Sequence, residues 1–133
     1  MSWNGTWDSG ATSDEIISTV DLLPTIAHYA GAQLPINPID GINISAHLEN
    51  TDQSIDRNYV LYTKGMDIYG IRLGVWKYLP YSGARKPTEN SPPELFNLKE
   101  DISETTNLYN QHPDIVSKLS KEIEKHRKKM QSK

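Results

Sequence analysis

Apolar residues return at three- and four-residue steps from Ile16 through Ile17, Val20, Leu23, Ile26 and Ala27 to Ala30, and Gly31 follows as a natural stop. That period predicts a helix at least from Val20 to Ala30. Pro24 fits if it lies in the first turn, with Thr19 or Asp21 as N-cap. The lead-in from Ser2 to Ser13, rich in Gly, Ser, Thr and Asp, has no sustained period and reads as an extended or looping segment. Beyond the helix, Pro35, Pro38 and Asp40-Gly41 mark a loop, Ile42, Ile44 and Leu48 a short apolar turn, and residues 49–56 a polar stretch.

The pattern then changes to that of short strands. Tyr59 to Thr63, Ile68 to Leu73 and Val75 to Tyr81 are separated by Lys64-Gly65-Met66-Asp67 and by Gly74, which predicts three antiparallel strands. Simple alternation places Tyr69, Ile71 and Leu73 on one face and Ile68 and Arg72 on the other. A loop rich in Pro, Ser and charge runs from Ser82 to Pro93, and Glu94 to Leu98 reads as a fourth strand. Pro113 and Asp114 open a last helix whose apolar stripe is Ile115, Val116, Leu119, Ile123 and Met130. The fold class is therefore α+β: a small antiparallel sheet of about four strands packed against a C-terminal helix, preceded by a loop-helix segment. The division falls at residues 1–57 and 58–133.

Composition narrows the function classes. A chain of 133 residues with 36% hydrophobic and 23% charged residues carries one compact unit's worth of core. Its net charge of −3, with both signs interspersed, gives no basic face for nucleic acid, and no stretch is apolar enough to span a membrane. The one basic run, Lys125 to Lys129 around Arg127, ends a helical pattern; it is either a solvated helix end that complements the dipole or a phosphate or sulfate patch. With no cysteine there is neither a disulfide, a thiolate metal site nor a cysteine nucleophile. His28, His47, His112 and His126 are scattered without metal-ligand spacing, and no glycine-rich nucleotide loop or nucleophile elbow is present.

The order of local motifs is more specific than any one of them. Ser2-Trp3-Asn4-Gly5-Thr6 with Gly10 and Ser13 comes first, then Ser18-Thr19-Val20-Asp21-Leu22-Leu23-Pro24-Thr25-Ile26 with Ala30-Gly31, then Asp40-Gly41. Gly70-Ile71-Arg72-Leu73-Gly74-Val75-Trp76-Lys77-Tyr78 follows, and Glu94-Leu95-Phe96-Asn97-Leu98 leads through Asp101 and Glu104 to Asn107-Leu108. This succession resembles the C-terminal portion of the sulfatase family, arylsulfatase-like members of the alkaline-phosphatase-like superfamily. Asn4 stands where the family usually has Pro, and Ile102 replaces a second Pro. On the residues themselves the reading is structural: Asp21 and Thr25 cap and open a helix, Trp76 anchors a core, and Asn107 satisfies turn backbone. Arg72 and Lys77 are open to two readings, pairing with carboxylates or contact with substrate.

The resemblance implies a sulfuric ester hydrolase whose nucleophile comes from a Cys/Ser-x-Pro-Ser-Arg motif and whose calcium is held by Asp and Asn side chains. Neither motif nor ligand set occurs here. The expectation is thus a chain without catalytic or metal-binding residues of its own, with calcium belonging to the complete enzyme. Its loop-helix segment would come from the edge of a missing N-terminal α/β catalytic domain. Its loops would contribute pocket residues, with Lys64 and Asp67 on one turn and Ser82, Arg85 and Lys86 on another; solvated loop charges are the alternative. Partners expected on this reading are that catalytic domain and, only in the complete enzyme, a sulfate ester; nucleic acid and membrane are not. Isolated, the chain would expose apolar surface or bury it by self-association. An extracytoplasmic site for the full-length parent is implied by the resemblance alone. The other function class that fits is a free-standing, non-catalytic binding module of the same fold.

Overall fold

A computed structural model describes residues 6–7, 10–65, 67–81 and 92–131. The chain divides into two compact units, residues 1–58 and 59–133.

In the first unit a 3-10 turn, Thr19–Asp21, runs directly into helix α1, Leu22–Tyr29. Ser18, in extended conformation, caps the leading turn, which brings the helical backbone in ahead of the start expected just before Pro24. Asp21 holds the N-cap position of α1, but its side chain accepts the Ser18 amide (2.8 Å) rather than capping α1 itself. Pro24 is the third residue of α1, inside the first turn, where its missing N–H has no intrahelical carbonyl to meet. At the other end the Gly31 amide donates to the His28 carbonyl (3.2 Å) and the Ala32 amide to that of Ala27 (2.9 Å), with Gly31 at φ +61. These bonds form a Schellman stop, which is why a glycine follows Ala30. The apolar turn expected around Ile44 is instead a short helix, α2, Ser45–Glu49. Ile44 is 2% exposed; Thr25 Oγ1 accepts its amide (3.1 Å) while donating to the Asp21 carbonyl (2.6 Å).

The second unit is an antiparallel meander in the order β1-β2-β3-β4: β1 Tyr59–Lys64, β2 Asp67–Leu73, β3 Trp76–Leu79 and β4 Glu94–Asn97. Helix α3, Pro113–Gln131, covers one face. Its Leu119 and Ile123 lie among Ile68, Ile71, Tyr78 and Leu95, with Tyr59, Leu61, Leu73, Trp76 and Met130 packed around them. Ile71 and Leu95 are fully buried. The alternation expected for β2 breaks: Tyr62 pairs with Gly70 but Thr63 with Ile68, so Tyr69 has no partner on β1. This β-bulge turns Ile68 onto the same face as Ile71 and Leu73, where strict period-two counting had put it on the opposite side. Gly70 also has a steric role, because a Cβ there would lie 2.5 Å from Leu79 Cδ2 and 2.8 Å from the Tyr78 carbonyl oxygen.

Candidate functional site

In the first unit the polar centre is Asp21, fully buried. Besides the Ser18 amide it accepts the Ile42 amide (2.9 Å) and an Arg57 Nη2 hydrogen (2.5 Å). Arg57 Nη2 also reaches the Asp40 carbonyl (3.1 Å), so one carboxylate holds the helix entry, the Asp40-Gly41 loop and the last residues of the unit. Gly41 is required for that closeness: a Cβ there would sit 2.0 Å from the Val20 carbonyl oxygen. Sequence reasoning assigned Asp21 to helix capping and did not single out Arg57, which follows the polar stretch 49–56; no local spacing joins residues 21 and 57. His47, 3% exposed, works in the same structural way. Its Nδ1 lies 2.5 Å from the Gln53 carbonyl, which can only accept, so Nδ1 carries the hydrogen and Nε2 faces Ser13 Oγ at 2.7 Å.

In the second unit, Lys64 and Asp67 are register partners at the closed end of the β1–β2 hairpin, both exposed, with Gly65 at φ +60 between them. A hairpin fixed by strand pairing holds this pair of opposite charges on a rigid base. Ser82, Arg85 and Lys86 lie outside the described residues. On β3, Lys77 Nζ donates to both Glu104 carboxylate oxygens (2.7 and 2.6 Å) and sits 5.2 Å from the Tyr62 ring centroid. Its partner is presented by a curled loop: Asp101 accepts the Thr106 amide (2.8 Å) and the Thr105 hydroxyl (3.1 Å), and Glu104 adopts φ +55. These donors hold the Asp101 carboxyl below the usual carboxylate range, the Thr106 amide first. A non-glycine residue at positive φ costs roughly 1 kcal/mol or more. The bidentate ion pair and the Asp101 bonds hold it there. Arg72 Nε donates to the Gly74 carbonyl (3.1 Å) across the β2–β3 turn. Asn107 Oδ1 accepts the Leu95 and Tyr109 amides (3.1 and 2.9 Å), and its Nδ2 donates to the Pro93 carbonyl (3.1 Å), fastening the segment after β4 to that strand.

Among the described residues no cluster of three or more His, Asp or Glu side chains could hold a metal ion. The described donors offer no calcium site of the kind the sequence resemblance implies. No described helix is long and apolar enough to cross a membrane.

Residues 55–133 match the family model described as the C-terminal region of aryl-sulfatase. The chain belongs to the sulfatase family. Bovine (Bos taurus) arylsulfatase A is 34% identical over 125 residues, covering 80% of this chain and 24% of that protein. Arylsulfatase K of Rattus norvegicus is 29% identical over 119 residues, covering 81% and 20%. The crystal structure of Ps i-CgsB in complex with k-i-k-neocarrahexaose superposes with a TM-score of 0.70 at 26% identity, covering 94% of this chain and 27% of that one. The chain spans about a quarter of the length of the relatives it matches. Within the sulfatase match fall the hairpin, the Lys77–Glu104 pair, the Asn107 clasp and α3.

Proposed function

We propose that this chain is the C-terminal part of a sulfuric ester hydrolase, a fragment of the enzyme that packs on a catalytic domain and supplies substrate-pocket loops, with the catalytic centre outside it. The observation that carries the reading is the family match over residues 55–133 on a unit whose interior polar groups are engaged in holding loops. Lys64 and Asp67 at the hairpin tip are the pocket candidates within the described residues, the ammonium suited to a sulfuryl oxygen and the carboxylate to a hydroxyl of the ester's alcohol. Ser82, Arg85 and Lys86 are candidates on the same reading. Calcium belongs, in this proposal, to the complete enzyme. The apolar side chains exposed on and before α1, Val20 (46%), Leu23 (53%) and Ile26 (62%), are the surface offered to the catalytic domain.

The test has two arms. The purified chain, supplied with calcium, is expected to leave an aryl sulfate unhydrolysed, and calcium-dependent turnover that survives stringent purification would overturn the proposal. In the second arm, residues 59–133 replace the matching region of bovine arylsulfatase A. Hydrolysis is retained, and Lys64→Ala or Asp67→Ala in that chimera raises KM more than it lowers kcat, as loss of uniform binding does. The same exposed side chains support a second reading, a free-standing interaction module. A reading frame that opens at Met1, with no Cys/Ser-x-Pro-Ser-Arg coding sequence upstream, would favour it, whereas such a motif upstream in the same frame would overturn it.

A further inference from the structure

The basic run at the end of the sequence does not form one patch. His126 is buried against the Tyr59 ring (4.6 Å), and Arg127 turns to the sheet, donating to the Ile68 carbonyl (3.3 Å) and pairing with Glu124. What remains on the outside is a different set. Lys118, Lys121, Lys125 and Lys128 recur at steps of three and four, which at 3.6 residues per turn confines them to an arc of about 80° along about 15 Å of α3. All four are exposed, opposite the Leu119–Ile123–His126 side that faces the core. Lys121, Lys125 and Lys128 line an open groove of 620 Å³ with Ser120 and Glu124.

Two ordinary explanations fail for this stripe. Complementing the helix dipole acts only within the last turn, yet Lys118 and Lys121 lie in the first half of α3. Local ion pairing accounts for Lys125 alone, which pairs with Glu122 (2.8 Å); that carboxylate raises the Lys125 pKa and keeps it charged. Among the described residues no carboxylate pairs with Lys118, Lys121 or Lys128, although Asp114, Glu122 and Glu124 stand three or four residues from them on the same helix. α3 carries six Lys and Arg against three Asp and Glu, in a chain whose net charge is −3.

We infer that this lysine stripe on the outer face of α3 is a binding site for a sulfated polysaccharide chain; this rests on the sulfuric ester hydrolase reading above. A row of ammonium groups along a straight helix suits a flexible polymer that presents anions at intervals. The stripe has no aromatic side chain for base stacking and no apolar one for insertion into a bilayer, which sets it apart from single-stranded nucleic-acid and membrane-surface sites. Lysines act as point charges and need no bidentate geometry, so irregularly placed sulfates can be accepted.

The test is binding of the full chain to dextran sulfate by titration calorimetry, with unmodified dextran, a duplex DNA oligomer and phosphatidylserine vesicles as comparisons. Binding to dextran sulfate is expected and to dextran is not. If four ammonium groups each displace counterions as they do on other polyanions, raising salt from about 50 to about 200 mM weakens binding about 50-fold. Changing all four lysines to Gln, a comparable helix former, removes at least about 30-fold at the lower salt, by the same counterion release. Changing them to Arg restores affinity to within about 3-fold, since charge rather than geometry is read. Lys99→Gln, away from the stripe, leaves binding unchanged, and circular dichroism at 222 nm verifies that α3 persists in each variant. Undiminished binding by the folded Gln variant, or DNA or vesicle binding as tight as that of dextran sulfate, would overturn the inference. The readout is binding by this chain alone, so it stands or falls separately from the hydrolysis experiments.

Discussion

The buried pair Arg57–Asp21 gives the sharpest energetic prediction. Their side chains are 10% and 0% exposed, and Arg57→Met would leave a fully buried carboxylate with two backbone amides and no counter-charge. With charge centres about 4 Å apart and an effective dielectric near 20, the lost attraction is about 4 kcal/mol. The Arg57 Nε is itself buried without a hydrogen-bond partner, so removing the guanidinium relieves a penalty of about 1 kcal/mol. A net loss of about 3 kcal/mol follows, at the low end of the range for breaking a buried ion pair. For a small domain with roughly 5–15 kcal/mol in total, that loss is large.

Urea denaturation followed by tryptophan fluorescence measures it, Trp7 being seated against Tyr29 in the same unit. At m values of about 1–3 kcal/mol/M the midpoint moves by about 1–3 M. Asp21→Asn and the double variant complete a cycle in which the two sites couple by at least about 2 kcal/mol. A loss below about 1 kcal/mol for Arg57→Met would refute the reasoning, because it is the value of a solvated surface pair.

The remaining predictions concern the second unit. Gly70→Ala forces a Cβ against the Tyr78 carbonyl oxygen and costs about 1–3 kcal/mol by overpacking; a thermal midpoint unchanged from the parent would contradict the close approach of β2 and β3. Because the Asp101 carboxyl is held below its usual value, its contribution is complete above the unfolded carboxylate pKa of about 4 and is lost as pH falls through the lower folded value. Asp101→Asn should therefore flatten the decline of the thermal midpoint as pH falls below about 4, and an unaltered slope would count against the loop geometry.

The elements were legible where one local rule governed each. Gly31 after an apolar helical period, glycines between β-rich runs, and Pro113-Asp114 at a helix start each have one physical reading, and all three elements form. The errors arose where a distant group overrode the local pattern. Counting residues from Tyr69 to Leu73 assumes an unbroken pleat, but the extra residue at Tyr69 is set by what β1 offers opposite it, which no window on β2 contains. The α2 segment is short enough that its period was unreadable; its helix is stabilised by Thr25 and Asn43 side chains at its start, one of them nineteen residues away.

Site residues follow the same division, and the two charged groups left open on the strands illustrate why. Lys77 could be assigned to a carboxylate only once the loop after β4 was seen to curl around Asp101 and bring Glu104 to it. Arg72, its direct register partner on β2, instead closes its own turn. A charge on a strand therefore says little until its partner loop is placed. On a helix, spacing alone suffices: the steps among Lys118, Lys121, Lys125 and Lys128 place them on one face, whereas Lys125, His126 and Arg127 of the contiguous basic run point in three directions. Contiguous charges on a helix spread over its circumference, and only charges three and four residues apart build a surface.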